Sequence, residues 1–147
     1  ETLEVSAIAA PMPLPPPPPR VGEVVPRLRL TSLEPGTTLP PIGEGRRVVL
    51  FFWATTCKPC KAALPALAKW ADARGAEVIA ITREDAAEVR RWLRRKGQRF
   101  PFPIALDPHR EATRLFAVDS TPVFVLVDAS GRFADEGAGF EDAVPLR

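Results

Sequence analysis

Cys57 and Cys60 are the only cysteines in this 147-residue chain, and two residues separate them. The apolar run Val48-Val49-Leu50-Phe51-Phe52 precedes them. Leu64, Leu67, Ala68 and Ala71 follow at helical spacing. The pattern predicts a buried strand, a short loop and a helix that opens at the cysteines. A helix start exposes unpaired N–H groups and the positive end of the macrodipole, which favours a thiolate over a thiol. Cys57 at that position, with the Lys58 cation beside it, is expected to ionise below the free-thiol value of about 8.5. Cys60 is near enough to close a disulfide with it. The pair reads as a redox dithiol.

Other uses of such a pair compete. Zinc takes four ligands, and beyond the cysteines the chain offers a single histidine, His109. A static disulfide across two residues would remove little chain entropy. Chance occurrence is opposed by the strand and helix patterns on either side.

The length suits one domain with extensions. A net charge of +2 is too balanced to argue for nucleic acid, and no apolar run reaches membrane-spanning length. The start at Glu1 rather than Met leaves room for a signal peptide or anchor removed by processing. Seven of the 18 prolines lie between Pro11 and Pro19. They predict an extended polyproline rod of roughly 28 Å over the nine residues, at about 3.1 Å per residue. Residues 1–24 therefore read as a disordered linker, a spacer rather than a ligand for a proline-recognition domain, and residues 25–147 as the folded domain.

Leu28, Leu30 and Leu33 alternate with polar residues as in a short edge strand, and Pro35-Gly36 turns toward a return strand over Thr37 to Leu39. The cysteine helix carries Pro65, expected to kink it, and stops at Gly75. Glu77 to Thr82 reads as a second buried strand. Glu84 to Lys96 reads as a helix with Ala86, Val89, Trp92 and Leu93 inward and Gly97 as its stop. Its cations, Arg90, Arg91, Arg94, Arg95 and Lys96, with Arg99, read as a solvated face partly paired with Glu84, Asp85 and Glu88; an acidic partner is the alternative. Phe102 to Leu106 predicts a short strand, Asp107 a cap for a helix from Pro108 to about Phe116, and Val123 to Val127 a buried strand. Asp128 to Gly131 turns that strand into an antiparallel one over Arg132 to Gly137. The order predicts an α/β sheet covered on both faces.

WATTCKPC after an apolar strand, Pro65 eight positions beyond Cys57, and Thr121-Pro122 opening a strand resemble the thioredoxin superfamily. More narrowly, the leading hairpin, EVIAITREDAAEVRRWLRRKG, FPFPIALDPHREATRLFAV and TPVFVLVDASGR resemble the TlpA/ResA-like thiol–disulfide oxidoreductases of bacterial envelopes, over about Val25 to Phe140. The resemblance implies a thioredoxin-like α/β fold, a mixed central sheet flanked by helices, with an N-terminal β-hairpin extension and a central αβ insertion. It implies Cys57 as the attacking cysteine and Cys60 as the resolving one, with Lys58, Pro59 and Trp53 tuning the site and Trp53 covering its rim. It further implies a cis Thr121–Pro122 bond packed against the disulfide, which would leave the Thr121 backbone to pair with an extended substrate strand. The chain departs from the pattern in three places. Phe51 stands where thioredoxins bury an Asp, Ala63 stands where some reducing relatives have a Glu, and only EDAVPLR follows Phe140, too little for a full closing helix.

The function implied is a protein disulfide reductase working without a cofactor or metal. Its substrates would be proteins with paired cysteines, such as an apocytochrome or a metal-site assembly protein. A redox-partner protein, a membrane thiol transporter, would recharge it. Placement in the periplasm or cell envelope, tethered through a lost N-terminal segment, and a monomeric state complete the expectation. The rivals are a dithiol oxidase and a Cu(I) metallochaperone, since soft thiolates hold Cu(I) with two ligands. Relatives built for copper add a third ligand near the pair, whereas His109 reads as a surface residue at a helix start. A peroxidase is disfavoured because the proline and threonine that such sites place upstream of the reactive cysteine are not both here.

Overall fold

Val48 to Phe52 is apolar at every position, which suits a central strand covered on both faces. In the computed structural model, which describes residues 17–97 and 99–137, that strand lies inside a six-stranded sheet. The elements in chain order are β1 (Thr31–Ser32), β2 (Val48–Phe52), α1 (Lys58–Arg74), β3 (Glu77–Thr82), α2 (Ala86–Lys96), β4 (Ile104–Leu106), α3 (Glu111–Leu115), β5 (Val123–Val127) and β6 (Phe133–Gly137). The spatial order is β1-β4-β3-β2-β5-β6. β2, β3 and β4 are parallel, with Phe52 opposite Ile81. β5 runs antiparallel to β2, with Phe52 opposite Val123, and β6 antiparallel to β5. This is the mixed α/β sheet expected, with α2 and β4 as its inserted unit.

Alternate strand residues feed two cores. Val49, Phe51, Val78, Ala80, Phe124 and Leu126 face Leu64, Leu67 and Trp70 of α1 and Val89 and Trp92 of α2. Val48, Leu50, Phe52, Ile79, Ile81, Val125 and Val127 face Ala112 of α3, Phe116, Val118, Phe133 and Val25. α1 runs through Pro65, which is exposed. Both long helices stop on left-handed glycines, Gly75 at φ 62° and Gly97 at φ 59°, as the sequence predicts.

The N-terminal hairpin does not form as expected. Thr37 to Leu39 is not a strand, and β1 pairs antiparallel with β4 instead. Leu39 is followed by Pro40 and Pro41, which have no amide hydrogen to give a ladder. β1 is also short because the Arg29 amide donates to the Glu111 carboxylate at 2.6 Å rather than to a strand. α3 opens at Glu111, not Pro108, yet Asp107 holds its start by accepting from the Ala112 and Thr113 amides and the Thr113 hydroxyl at 3.3, 2.9 and 2.7 Å.

Residues 22–24, assigned to the linker from sequence, hydrogen-bond to the domain. The Gly22 amide donates to the Phe133 carbonyl, the Phe133 amide to Glu23, and the Val25 amide to Gly131. A neighbouring loop comes so close that a Cβ on Gly43 would stand 3.2 Å from the Gly131 Cα. Of the proline rod, only Pro17 to Pro19 falls within the described residues, without regular structure. The rest of the rod and the segment after Gly137, including EDAVPLR, lie outside them.

Candidate active site

β2 ends at Phe52, and the chain turns through Trp53 to Thr56 before α1 begins. Cys57 is the N-cap of α1, in extended backbone at φ −89° and ψ 100°. Its Sγ accepts the Cys60 amide at 3.2 Å, so a helix-start N–H points at the sulfur as the sequence predicts. The two cysteines are joined as a disulfide with Cα atoms 5.3 Å apart. Cys57 keeps 8 % of its surface exposed and Cys60 only 1 %. Lys58 and Pro59, the residues between them, are exposed at the helix tip.

Behind the pair lies an aromatic wall. Trp53 is 2 % exposed, with its ring 5.7 Å from that of Trp92 and 4.6 Å from that of Phe100. It is almost wholly buried, and it also lines the cavity at this end of the sheet. Its indole N–H is buried and without a hydrogen-bond partner among the described residues. Lys61 reaches over Trp92, with Nζ 5.4 Å from the ring centre. Phe51 is stacked on Phe124 at 5.1 Å, and Ala63 packs against the core that holds Cys60. Neither of those positions offers Cys60 a proton acceptor.

The Thr121–Pro122 bond is cis. Because Val123 sits opposite Phe52, these two residues lie just past the same end of the sheet as the cysteine loop. A cavity of about 360 Å³ opens there, lined among others by Trp53, Ala54, Thr56, Glu84, Arg110 and Thr121. His109 is exposed.

Glu84 is the residue that sequence reasoning misplaced. Expected on the basic helix as a partner for its arginines, it stands before α2 and turns toward the cysteine loop. Its carboxylate accepts the Thr55 amide at 2.9 Å and the Thr55 hydroxyl at 2.6 Å. The signal was present in Asp85-Ala86-Ala87-Glu88, a capping-box spacing that starts the helix at Asp85 and leaves Glu84 outside it. Asp85 and Glu88 bind each other's backbone amides, so the expected acids are spent elsewhere. Arg91, Arg94, Arg95 and Lys96 are exposed, while Arg90 donates to the Leu33 carbonyl at 2.6 Å. Two acids outside the cavity lining have perturbed titration. Glu111 is lowered chiefly by the Arg29 amide, and Asp128 chiefly by the Ser130 hydroxyl.

Residues 21–135 match the AhpC/TSA family. The chain belongs to that family. Within this AhpC/TSA setting it is similar to the thiol-disulfide oxidoreductase ResA of Bacillus thuringiensis, 26% identical over 125 residues, which are 82% of this chain and 70% of that protein. The exposed lipoprotein thioredoxin Etrx1 of Streptococcus pneumoniae superposes with a TM-score of 0.59 at 26% identity, over 69% of this chain and 82% of the other. AhpC of Mycobacterium tuberculosis shares the fold with a TM-score of 0.66 at 22% identity, over 84% of each chain. Fold, relatives and the Cys57–Cys60 pair make this AhpC/TSA family member a ResA-like thiol–disulfide oxidoreductase of the thioredoxin superfamily.

Proposed function

We propose that the protein reduces disulfides in cysteine-bearing proteins of the cell envelope. The observation that carries the reading is the placement of Cys57 at the start of α1, where its sulfur accepts the Cys60 amide at 3.2 Å. That placement stabilises the thiolate once the pair is reduced. The Cys57 thiolate attacks one sulfur of a client disulfide and releases the other as a thiolate, giving a mixed disulfide. The Cys60 thiolate then attacks the Cys57 sulfur, the client leaves with both cysteines reduced, and two electrons have passed to it. A dithiol partner, by our reading a membrane thiol transporter, reverses the exchange and restores the reduced pair.

Thr121 and Pro122 border the cavity end of the sheet, and the Thr121 backbone is suited to pair with an extended client segment over Thr56. Apocytochromes and metal-site assembly proteins, which carry closely spaced cysteines, are the client class. Similarity to an exposed lipoprotein thioredoxin supports an envelope location. Among the described residues no helix is long and apolar enough to cross a membrane.

Equilibration of the Cys57–Cys60 couple against defined thiol buffers tests the direction of flow. A potential near or below about −270 mV is expected of a reductant, whereas one close to about −120 mV would make the protein an oxidant. The Cys60→Ala variant should accumulate mixed disulfides with clients through Cys57, and a Cys57→Ser variant should accumulate none.

A further inference from the structure

The turn that delivers Cys57 is held from outside by one carboxylate. Trp53, just past β2, is tied to the sheet by its amide donating to the Ile81 carbonyl at 3.0 Å, and the Cys57 amide donates back to Ala54 at 3.0 Å. Between those anchors the Thr55 amide and hydroxyl both go to Glu84, 29 residues away in sequence, one to each carboxylate oxygen. Glu84 is itself oriented by Thr82, which is 2 % exposed. The Thr82 hydroxyl donates to the carboxylate at 3.0 Å and accepts the Glu84 amide at 3.2 Å. Among the described residues Glu84 makes no ion pair, so its charge is committed to hydrogen bonds. Bonds to a charged acceptor are roughly twice as strong as neutral ones. The same side chain lines the cavity beside Thr56 and Thr121.

We propose that Glu84 is a positioning residue for the redox reaction: by clamping Thr55 it fixes the turn that sets Cys57 at the helix start, and so sets the reactivity of the Cys57 thiolate. The inference rests on the reading of Cys57 as the attacking thiol. Two opposed effects are built into the geometry. The negative charge of Glu84 opposes a nearby thiolate, whereas the clamp holds Cys57 where the Cys60 amide stabilises it. We expect the clamp to dominate, because two direct hydrogen bonds from Glu84 fix the turn.

The test is the rate of iodoacetamide alkylation against pH in a Cys60→Ala background, where Cys57 is the only thiol, read beside thermal melting. Glu84→Ala should slow alkylation at pH 7 by about three- to tenfold, with the midpoint of the pH profile moved up by roughly 0.5–1 unit. Glu84→Gln, which keeps an oxygen for the Thr55 amide, should recover much of the rate. Thr55→Val, which keeps the amide and loses the hydroxyl, should lie between and serves if Glu84→Ala does not fold. A downward move of the midpoint in Glu84→Ala and Glu84→Gln alike would reveal a field effect only and overturn the proposal. So would melting that changes while the pH profile stays put. If Cys57 in the Cys60→Ala background shows an unperturbed thiol profile and the native chain, with both cysteines, forms no internal disulfide in thiol buffers, the redox reading fails first, independently of Glu84.

Discussion

Cys60 has almost no exposed surface, and neither Phe51 in the preceding strand nor Ala63, three residues after it, can take its proton. Phe51 is committed to the core by its stack on Phe124. A carboxylate there would be buried without a partner and would cost several kcal/mol. Ala63 is different. It lies three residues after Cys60 on α1, hence on the same helix face, and is half-buried. Ala63→Glu should therefore fold and supply a general base to Cys60, the resolving thiol of the proposed mechanism. We expect release of product from a Cys57 mixed disulfide to accelerate by roughly tenfold near neutral pH, followed by stopped-flow with a fluorescent model disulfide; an unchanged release rate would show that Cys60 deprotonation does not limit the step. Cys57 and Cys60 were legible in the sequence because their chemistry depends on local spacing between a strand and a helix. Glu84 was not, because its role exists only through a contact with Thr55 that the sheet brings about. The burial of Trp53 was not legible either, because Trp92 and Phe100, which pack on it, come from the inserted unit.

Among the elements, β2, β3 and β5 were readable because burial on both faces leaves uninterrupted apolar runs. The edge was harder, since which strand β1 pairs with is decided by partners 73 and more residues away, Ser32 with Ala105 and Thr31 with Leu106. α3 shows the same limit. Its N-cap residue is Arg110, at φ 55°, and not Asp107, which instead holds the start from three residues upstream by accepting the Ala112 and Thr113 amides. Asp107 is 2 % exposed, and its carboxylate serves three donors that would otherwise be buried unpaired. Asp107→Ala should cost about 2–3 kcal/mol and lower the melting temperature by roughly 8 °C. Asp107→Asn, which keeps one acceptor oxygen, should recover about half of that loss. A melting curve unchanged by Asp107→Ala would show that water replaces the carboxylate at no cost.

At the scale of the whole molecule, the sheet separates two cores and brings its chemistry to one end, where the parallel strands finish and β5 begins. Ligands of open α/β sheets gather at that end. The consequence lies in the unequal exposure of the two sulfurs, 8 % for Cys57 and 1 % for Cys60. On the proposed function a client and the recharging dithiol both come to the same atom, so the two half-reactions share one doorway and exclude each other. The turnover is then a shuttle between two partners that never meet, with ping-pong kinetics. Double-reciprocal plots against client, at several concentrations of reductant, should be parallel, and each partner in excess should inhibit by occupying the form of the enzyme meant for the other. Intersecting lines would mean that a second approach to the pair exists.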